Sequence, residues 1–195
     1  MFTYPSTNPS TNQSTYPSTY PSTYHFQYIN LKAKYNVLLQ GGSEEDKVFT
    51  PLNRTELKRA IDLYRFNRDA SLAMHGEIGT WDVSNVTDMS GMFFNARHFN
   101  GDISRWDVGN VTNMRAMFNG ARQFSGDISR WNVSNVTDMT GMFNNAINFN
   151  SDISEWVVLN VTDMEYMFTN ASAFTADLSK WDIGNVTYTS HMINN

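Results

Sequence analysis

Five tryptophans, Trp81, Trp106, Trp131, Trp156 and Trp181, fall 25 residues apart without a slip. Around each the same phrase returns: WDVSNVTDMSGMF from Trp81, WDVGNVTNMRAMF from Trp106 and WNVSNVTDMTGMF from Trp131. The copies WVVLNVTDMEYMF and WDIGNVTYTSHMI are looser. HGEIGTW at 75–81 matches NGDISRW at 100–106, so the pattern starts near Gly76. A fixed period of this length marks a solenoid, in which each repeat buries its apolar face only against its neighbours.

One repeat shows what each coil is expected to contain. Trp106 and Val108 alternate around Asp107, as in a short strand with one buried face, and Ile103 precedes them on the core side. Val111, Met114, Met117, Phe118 and Ala121 then follow at spacings of three and four, the stripe of a short helix. Asn110 and Thr112 stand where that helix would start, and both residue types cap well. Gly101 and Asp102 turn the chain. The expected fold is therefore α/β: about five 25-residue strand–helix coils, their strands stacked as a parallel sheet with neighbours about 4.8 Å apart.

A helix is predicted just ahead of the repeats. Asn53 with Glu56 three residues on makes a capping box, with Thr55 as an alternative cap. Leu57, Ala60, Ile61 and Tyr64 follow at helical spacing. It lies where a solenoid needs a cap over its open apolar end. Before it, residues 25–40 alternate in part (Leu31, Ala33, Tyr35, Val37), as a strand would. Residues 1–24 are built from Tyr, Pro, Ser and Thr and read as a disordered tail, or as an O-glycosylated stalk. The chain thus divides into a tail at 1–24, a strand and capping helix at 25–75, and repeats at 76–195.

Fourteen basic against nineteen acidic residues give a formal charge of −5, which argues against a phosphate-backbone binder. Cysteine is absent, which excludes disulfides, thiolate metal sites and cysteine nucleophiles. No run of apolar residues is long enough for a membrane-spanning helix, and the first residues carry no legible secretory signal.

The segment Ile103-x-x-Trp106-x-Val108 resembles the strand core of leucine-rich repeats. Its continuation, NVTxMxxMFxxAxxFxxDIS, resembles the BspA-like leucine-rich repeat family of surface lipoprotein repeats, over Gly76–Asn195 and more loosely over the preceding helix. The resemblance implies a right-handed, leucine-rich-repeat-like α/β solenoid used in adhesion or protein binding, often on a cell surface, with no catalytic residues to carry over. Two departures stand out: no lipoprotein cysteine is present, and the fifth copy stops at Asn195.

Several rows of residues invite chemistry. The methionines (Met89, Met114, Met139 and Met164; Met92, Met117, Met142, Met167 and Met192) could suggest a soft-metal site, but beside Phe93, Phe118, Phe143 and Phe168 they read as core filler. The Trp row shares a face with Val108 and its equivalents, so it too reads as core, each indole N–H needing a partner. Asn85, Asn110, Asn135, Asn160 and Asn185 each open an N-V-T sequon. Stacked in register, they are expected to satisfy backbone groups of the turn, with the Thr capping the helix. Asp102, Asp127, Asp152 and Asp177, with Glu77 ahead of them, stack at the turn. Calcium would offset their repulsion; hydrogen bonds from turn N–H groups or from Ser104, Ser129, Ser154 and Ser179 are the simpler answer. No metal and no cofactor is expected. The histidines His25, His75, His98 and His191 are scattered, and a whole ladder of acids offers no unique pair, so no enzyme is expected.

Function is expected where the copies differ. The residues flanking each Trp vary: Thr80/Asp82, Arg105/Asp107, Arg130/Asn132, Glu155/Val157 and Lys180/Asp182. Alternation along a strand would send them to the open face of the sheet, an extended surface that commonly binds a partner in solenoids. Arg105 and Arg130 suit carboxylate or phosphate groups. The reading is a non-catalytic protein-interaction or adhesion module with a protein partner, no nucleic acid and no membrane insertion. Self-association or docking through an uncapped C-terminal coil is also expected. The alternatives are a structural component of a coat or larger assembly, and a carbohydrate-binding module. The compartment stays open, the resemblance alone pointing to the cell surface.

Overall fold

The computed structural model describes residues 48–193. The tail at 1–24 and the strand expected over 25–40 lie outside these residues.

Asn53 stands in extended backbone, and its side-chain oxygen accepts the Glu56 N–H at 3.1 Å, which starts helix α1, Arg54–Phe66. Glu56 reaches back to the Leu52 N–H at 2.9 Å, one residue before the donor a capping box uses. Leu57, Ala60, Ile61 and Tyr64 form the buried stripe of α1. Asn67 ends α1 by donating its N–H to the Leu63 carbonyl, then caps helix α2, Arg68–His75, by accepting the Ala70 N–H at 3.0 Å. No helix among the described residues is long and apolar enough to cross a membrane.

The repeats do not form strand–helix coils. Among the described residues they contain no β-strand and no α-helix. Neighbouring copies share only isolated parallel bridges, Asp88 with Asn113, Asn113 with Asp138, Asp138 with Asp163 and Asp163 with Tyr188. The α/β leucine-rich-repeat-like solenoid, with its parallel sheet and its row of short helices, is thereby overturned.

What replaces it is a coil of successive tight turns. In the second copy the N–H groups of Trp106, Val111, Met117, Ala121 and Phe124 bond to the carbonyls of Ile103, Val108, Met114, Phe118 and Ala121, each three residues back. The first and last residues of every one of these turns are buried. The helix expected over the Met–Phe segment fails because its backbone turns left-handed twice per copy. Gly91, Ala116, Gly141, Tyr166 and His191 have φ between 52° and 62°, and Asn95, Gly120, Asn145 and Asn170 between 52° and 72°. Each of these residues is the third of a turn, where type II geometry requires positive φ and an α-helix forbids it.

Alternate N–H groups of this segment leave the coil. Met89, Gly91, Phe93 and Asn95 donate to the carbonyls of Asn113, Arg115, Met117 and Asn119 in the next copy, at 2.7–2.9 Å. Every copy is thus bonded to its neighbour at the 25-residue register, although no continuous strand forms. Helix α1 takes the place of a preceding copy at one end. Arg54 donates to the Ser90 carbonyl, the equivalent of the Arg115 carbonyl that Gly91 serves one copy later, and pairs with Asp88 at 3.3 Å.

The core runs through the stack. The phenylalanines lie face to face, Phe118 on Phe143 at 5.6 Å and 2°, and Phe118 on Phe124 within its own copy at 4.1 Å. The methionines from Met89 to Met167 are fully buried among them, as core filler should be. The five tryptophans are 2–7% exposed. Four indole N–H groups cross to the copy before: Trp106 to the Ile78 carbonyl at 2.8 Å, Trp131 to Ile103 at 3.1 Å, Trp156 to Ile128 at 3.2 Å and Trp181 to Ile153 at 3.0 Å. Each of these four tryptophans therefore packs as an apolar side chain and also ties two copies together, whereas the Trp81 indole donates to the Gly76 carbonyl just ahead of it.

Candidate functional site: the turn-corner rows

All ten residues singled out beside the tryptophans are exposed. They line no sheet, since none forms; they stand on turn corners. Thr80, Arg105, Arg130, Glu155 and Lys180 directly precede the tryptophans, inside the turns that tie each Trp N–H to the carbonyl three residues back. Asp82, Asp107, Asn132, Val157 and Asp182 follow the tryptophans, between that turn and the next. The 25-residue register repeats both rows from copy to copy.

Much of the second row serves the backbone. Asp82 Oδ1 accepts the Ser84 N–H at 3.1 Å and its hydroxyl at 2.6 Å; Asn132 Oδ1 does the same with Ser134 at 3.1 and 2.7 Å. Asp107 and Asp182 accept the N–H groups of Gly109 and Gly184 at 3.0 and 3.1 Å. These are Asx turns, which fix the chain locally. The fourth copy departs. Val157 cannot accept a hydrogen bond, Leu159 replaces the Ser or Gly, and the two are 58% and 46% exposed. They line a shallow cleft of about 300 Å³ with Lys180 and Asp182.

The first row carries the charge. Arg105 and Arg130 form no ion pair among the described residues, whereas Lys180 bonds to Glu155 of the copy before. That bond, with the Glu155 charge, raises the Lys180 ammonium above its ordinary value. The pair is fully in solvent and fixes position more than stability.

The acid row at Asp102, Asp127, Asp152 and Asp177 accepts the N–H groups of Ser104, Ser129, Ser154 and Ser179 at 2.9–3.1 Å. All four carboxyls, and Asp82, are held below their ordinary value. In Asp82 and Asp102 the serine hydroxyl is the main cause, followed by its N–H; in Asp127, Asp152 and Asp177 the N–H leads. Among the described residues no three His, Asp or Glu side chains gather as a metal would need. A lowered carboxyl contributes stability above its unfolded value of about 4, and that stability is lost as pH falls through the lower folded value. The melting temperature is therefore expected to hold from neutral pH to about 4.5, drop below about 4, and stay unchanged on adding EDTA. A loss on chelation that calcium restores would overturn this assignment.

The asparagine row does bond to turn carbonyls of the preceding copy. The side-chain amides of Asn110, Asn135, Asn160 and Asn185 donate to Ser84, Gly109, Ser134 and Leu159 at 2.7–2.9 Å. The threonines cap no helix, because none is there. Thr112, Thr137 and Thr162 instead donate their hydroxyls to the threonine carbonyl one copy back, at 3.1–3.3 Å.

A second cleft, of about 340 Å³, lies where α1 and α2 meet the first two copies. Tyr64, Arg68, Glu77, Gly101, Asp102 and Arg105 contribute to its lining. Of these, the periodicity of the repeats marks Arg105 as a binding candidate and places Asp102, with Glu77 ahead of it, in the acid row. Tyr64 reads as core in the sequence, and nothing periodic brings Arg68 beside Asp102.

No curated protein and no solved structure matches the chain. A family model described as "Mycoplasma protein of unknown function, DUF285" matches it twice, over residues 61–146 and 102–195, which together take in all the repeats and the end of α1. On that match, the chain belongs to the DUF285 family of Mycoplasma proteins of unknown function.

Proposed function

We propose that this chain is a non-catalytic protein-interaction or adhesion module that presents its turn-corner rows, from Thr80 to Lys180 and from Asp82 to Asp182, to a protein partner. One observation carries the reading. In the other copies Asp or Asn after the Trp closes an Asx turn on Ser or Gly; the fourth exposes Val157 and Leu159 instead. The turn loses a hydrogen bond by that exchange and solubility gains nothing, whereas an apolar contact with another protein gains from both side chains. Arg105, Arg130 and the Glu155–Lys180 pair supply the polar surround such a contact uses. The likeness of the NVTxMxxMFxxA phrase to BspA-like surface repeats supports the same reading and a place at the cell surface. The recurrence of every acid and amide row, with no unique acid, base and nucleophile set apart, supports binding over catalysis.

The test restores the fourth copy to the pattern of the others. Val157→Asp with Leu159→Ser is expected to leave melting unchanged or slightly raised. A photo-crosslinking residue at position 157 should capture a partner protein in cells making the chain, and one at the exposed position 148 should not. The double substitution should weaken that partner's binding about tenfold or more, the loss of two apolar contacts. Equal capture at both positions would overturn the reading. Crosslinks only between copies of this chain would point to an assembly component, and glycan binding untouched by the double substitution to a carbohydrate module.

A further inference from the structure

We propose that the partner segment docking on the fourth copy is basic, with an apolar side chain seated on Val157 and Leu159 and lysine or arginine on either side of it. This rests on the reading above, that the corner is a protein contact, and adds the chemistry of the partner. The first ground is the distribution of charge along the stack. Residues 151–193 carry six carboxylates against one ammonium, Lys180, a net charge of −5. Residues 76–150, three copies long, carry seven carboxylates and five guanidinium groups, a net charge of −2. The exposed Val157 and Leu159 thus lie in the part of the stack where acids go uncompensated.

The geometry leaves that charge facing outward. Lys180 is bonded to Glu155, and the charges of Glu155, Asp152 and Asp177 all act on it, so one cation already serves three acids. Asp182 lines the cleft with Val157 and Leu159, is exposed, and forms no ion pair among the described residues. Its Oδ1 accepts the Gly184 N–H at 3.1 Å, a neutral donor that fixes the carboxylate in place without cancelling its charge. Further along the fourth copy, Asp163 and Glu165 are likewise without an ion pair among the described residues. These charges select the partner. An acidic protein, a nucleic acid or an anionic lipid surface is repelled here. A wholly apolar segment leaves the acids beside it without a counter-charge, and a bare cation leaves Val157 and Leu159 in water. A basic segment with an apolar anchor meets both requirements, the anchor at the centre and its cations toward Asp182 and the acids around it.

Titration of the full chain with the capped peptide Lys-Leu-Lys-Phe-Lys, followed by backbone amide shifts, tests this. Saturable shifts are expected at Val157, Leu159 and Asp182. The same peptide with glutamine for lysine should bind about fivefold more weakly or worse, and with glutamate for lysine not at all. Asp182→Asn keeps the turn, since Asn132 accepts the equivalent N–H in the third copy, and removes only the charge. It should weaken binding about two- to fivefold, while Asp69→Asn, which removes one charge from α2, should not. Val157→Asn with Leu159→Ser, the third copy's pattern, takes away the apolar pair without adding charge and should cost about tenfold. Equal binding of the lysine and glutamine peptides, or equal losses from Asp182→Asn and Asp69→Asn, would overturn the basic partner. If the double substitution still abolished binding in that case, the corner would stand as a contact and only its charge preference would fall. No saturable shift at millimolar peptide would also overturn the inference, and the crosslink at position 157 would then judge the contact by itself. A dimer of the chain in sedimentation, dissolved by the double substitution, would make a second copy the occupant instead.

Discussion

Replacing Trp131 by Ala should cost about 3–5 kcal/mol of stability, the range for deleting a large buried aromatic. Trp131 is 4% exposed in the central copy and packs its ring against Phe118 at 6.2 Å. Its indole N–H holds the Ile103 carbonyl of the copy before at 3.1 Å, so the substitution opens a cavity and removes one of that carbonyl's two donors, the Trp106 N–H remaining. In a stack where each copy contacts only its neighbours, a defect at the centre weakens two junctions at once. Trp131→Phe separates the two contributions: it keeps much of the apolar volume and loses the hydrogen bond, so it should cost roughly 1–2 kcal/mol. Chemical denaturation measures both. A loss below about 1 kcal/mol for the alanine variant would mean that the ring is not a core residue.

The second large effect concerns Gly120, and its sign distinguishes two folds. Were residues 111–121 helical, Gly120→Ala would stabilise the chain, by up to about 1 kcal/mol. In the turn structure Gly120 has φ +72°, and an added Cβ falls on the Asn95 side chain of the copy before. The left-handed backbone alone costs a residue with a Cβ about 1–2 kcal/mol, and displacing Asn95 adds to it. Gly120→Ala is therefore expected to destabilise by about 2 kcal/mol, and Gly120→Asn, whose residue type tolerates this conformation, by less. A stabilised alanine variant would restore the helix and refute the turns.

The proposed surface was legible only in part. Repetition draws attention to the residues beside each Trp because they vary while the core does not, and all ten prove exposed. Repetition alone does not show that Asp82, Asp107, Asn132 and Asp182 are engaged by turn amides two residues on. That engagement gives Val157 its meaning, and Leu159, two residues further, shares it though the flanking pairs do not include it. The cleft at Tyr64 was not legible, because it joins a helix to two copies that are distant in sequence.

By itself the sequence determined the unit, its register and its core. The 25-residue period fixes which residues stack, and the spacing of Ile, Trp, Val, Met and Phe fixes which point inward. The Asn53 cap and the apolar stripe of α1 were also readable, because capping and helical periodicity are local. Secondary structure inside the repeat was decided only in the tertiary structure. Tight turns bury their first and last residues, three apart, so a chain of turns prints nearly the same apolar spacing as a helix. Gly91, Gly120, Gly141, Asn95 and Asn145 in the middle of the supposed helix are the local signs against it. Ala116, Tyr166 and His191 carry the same left-handed backbone without the residue type that would announce it. At Ala116 and Tyr166 hydrogen bonds to the next copy hold the conformation, and those bonds exist only once the copies are stacked.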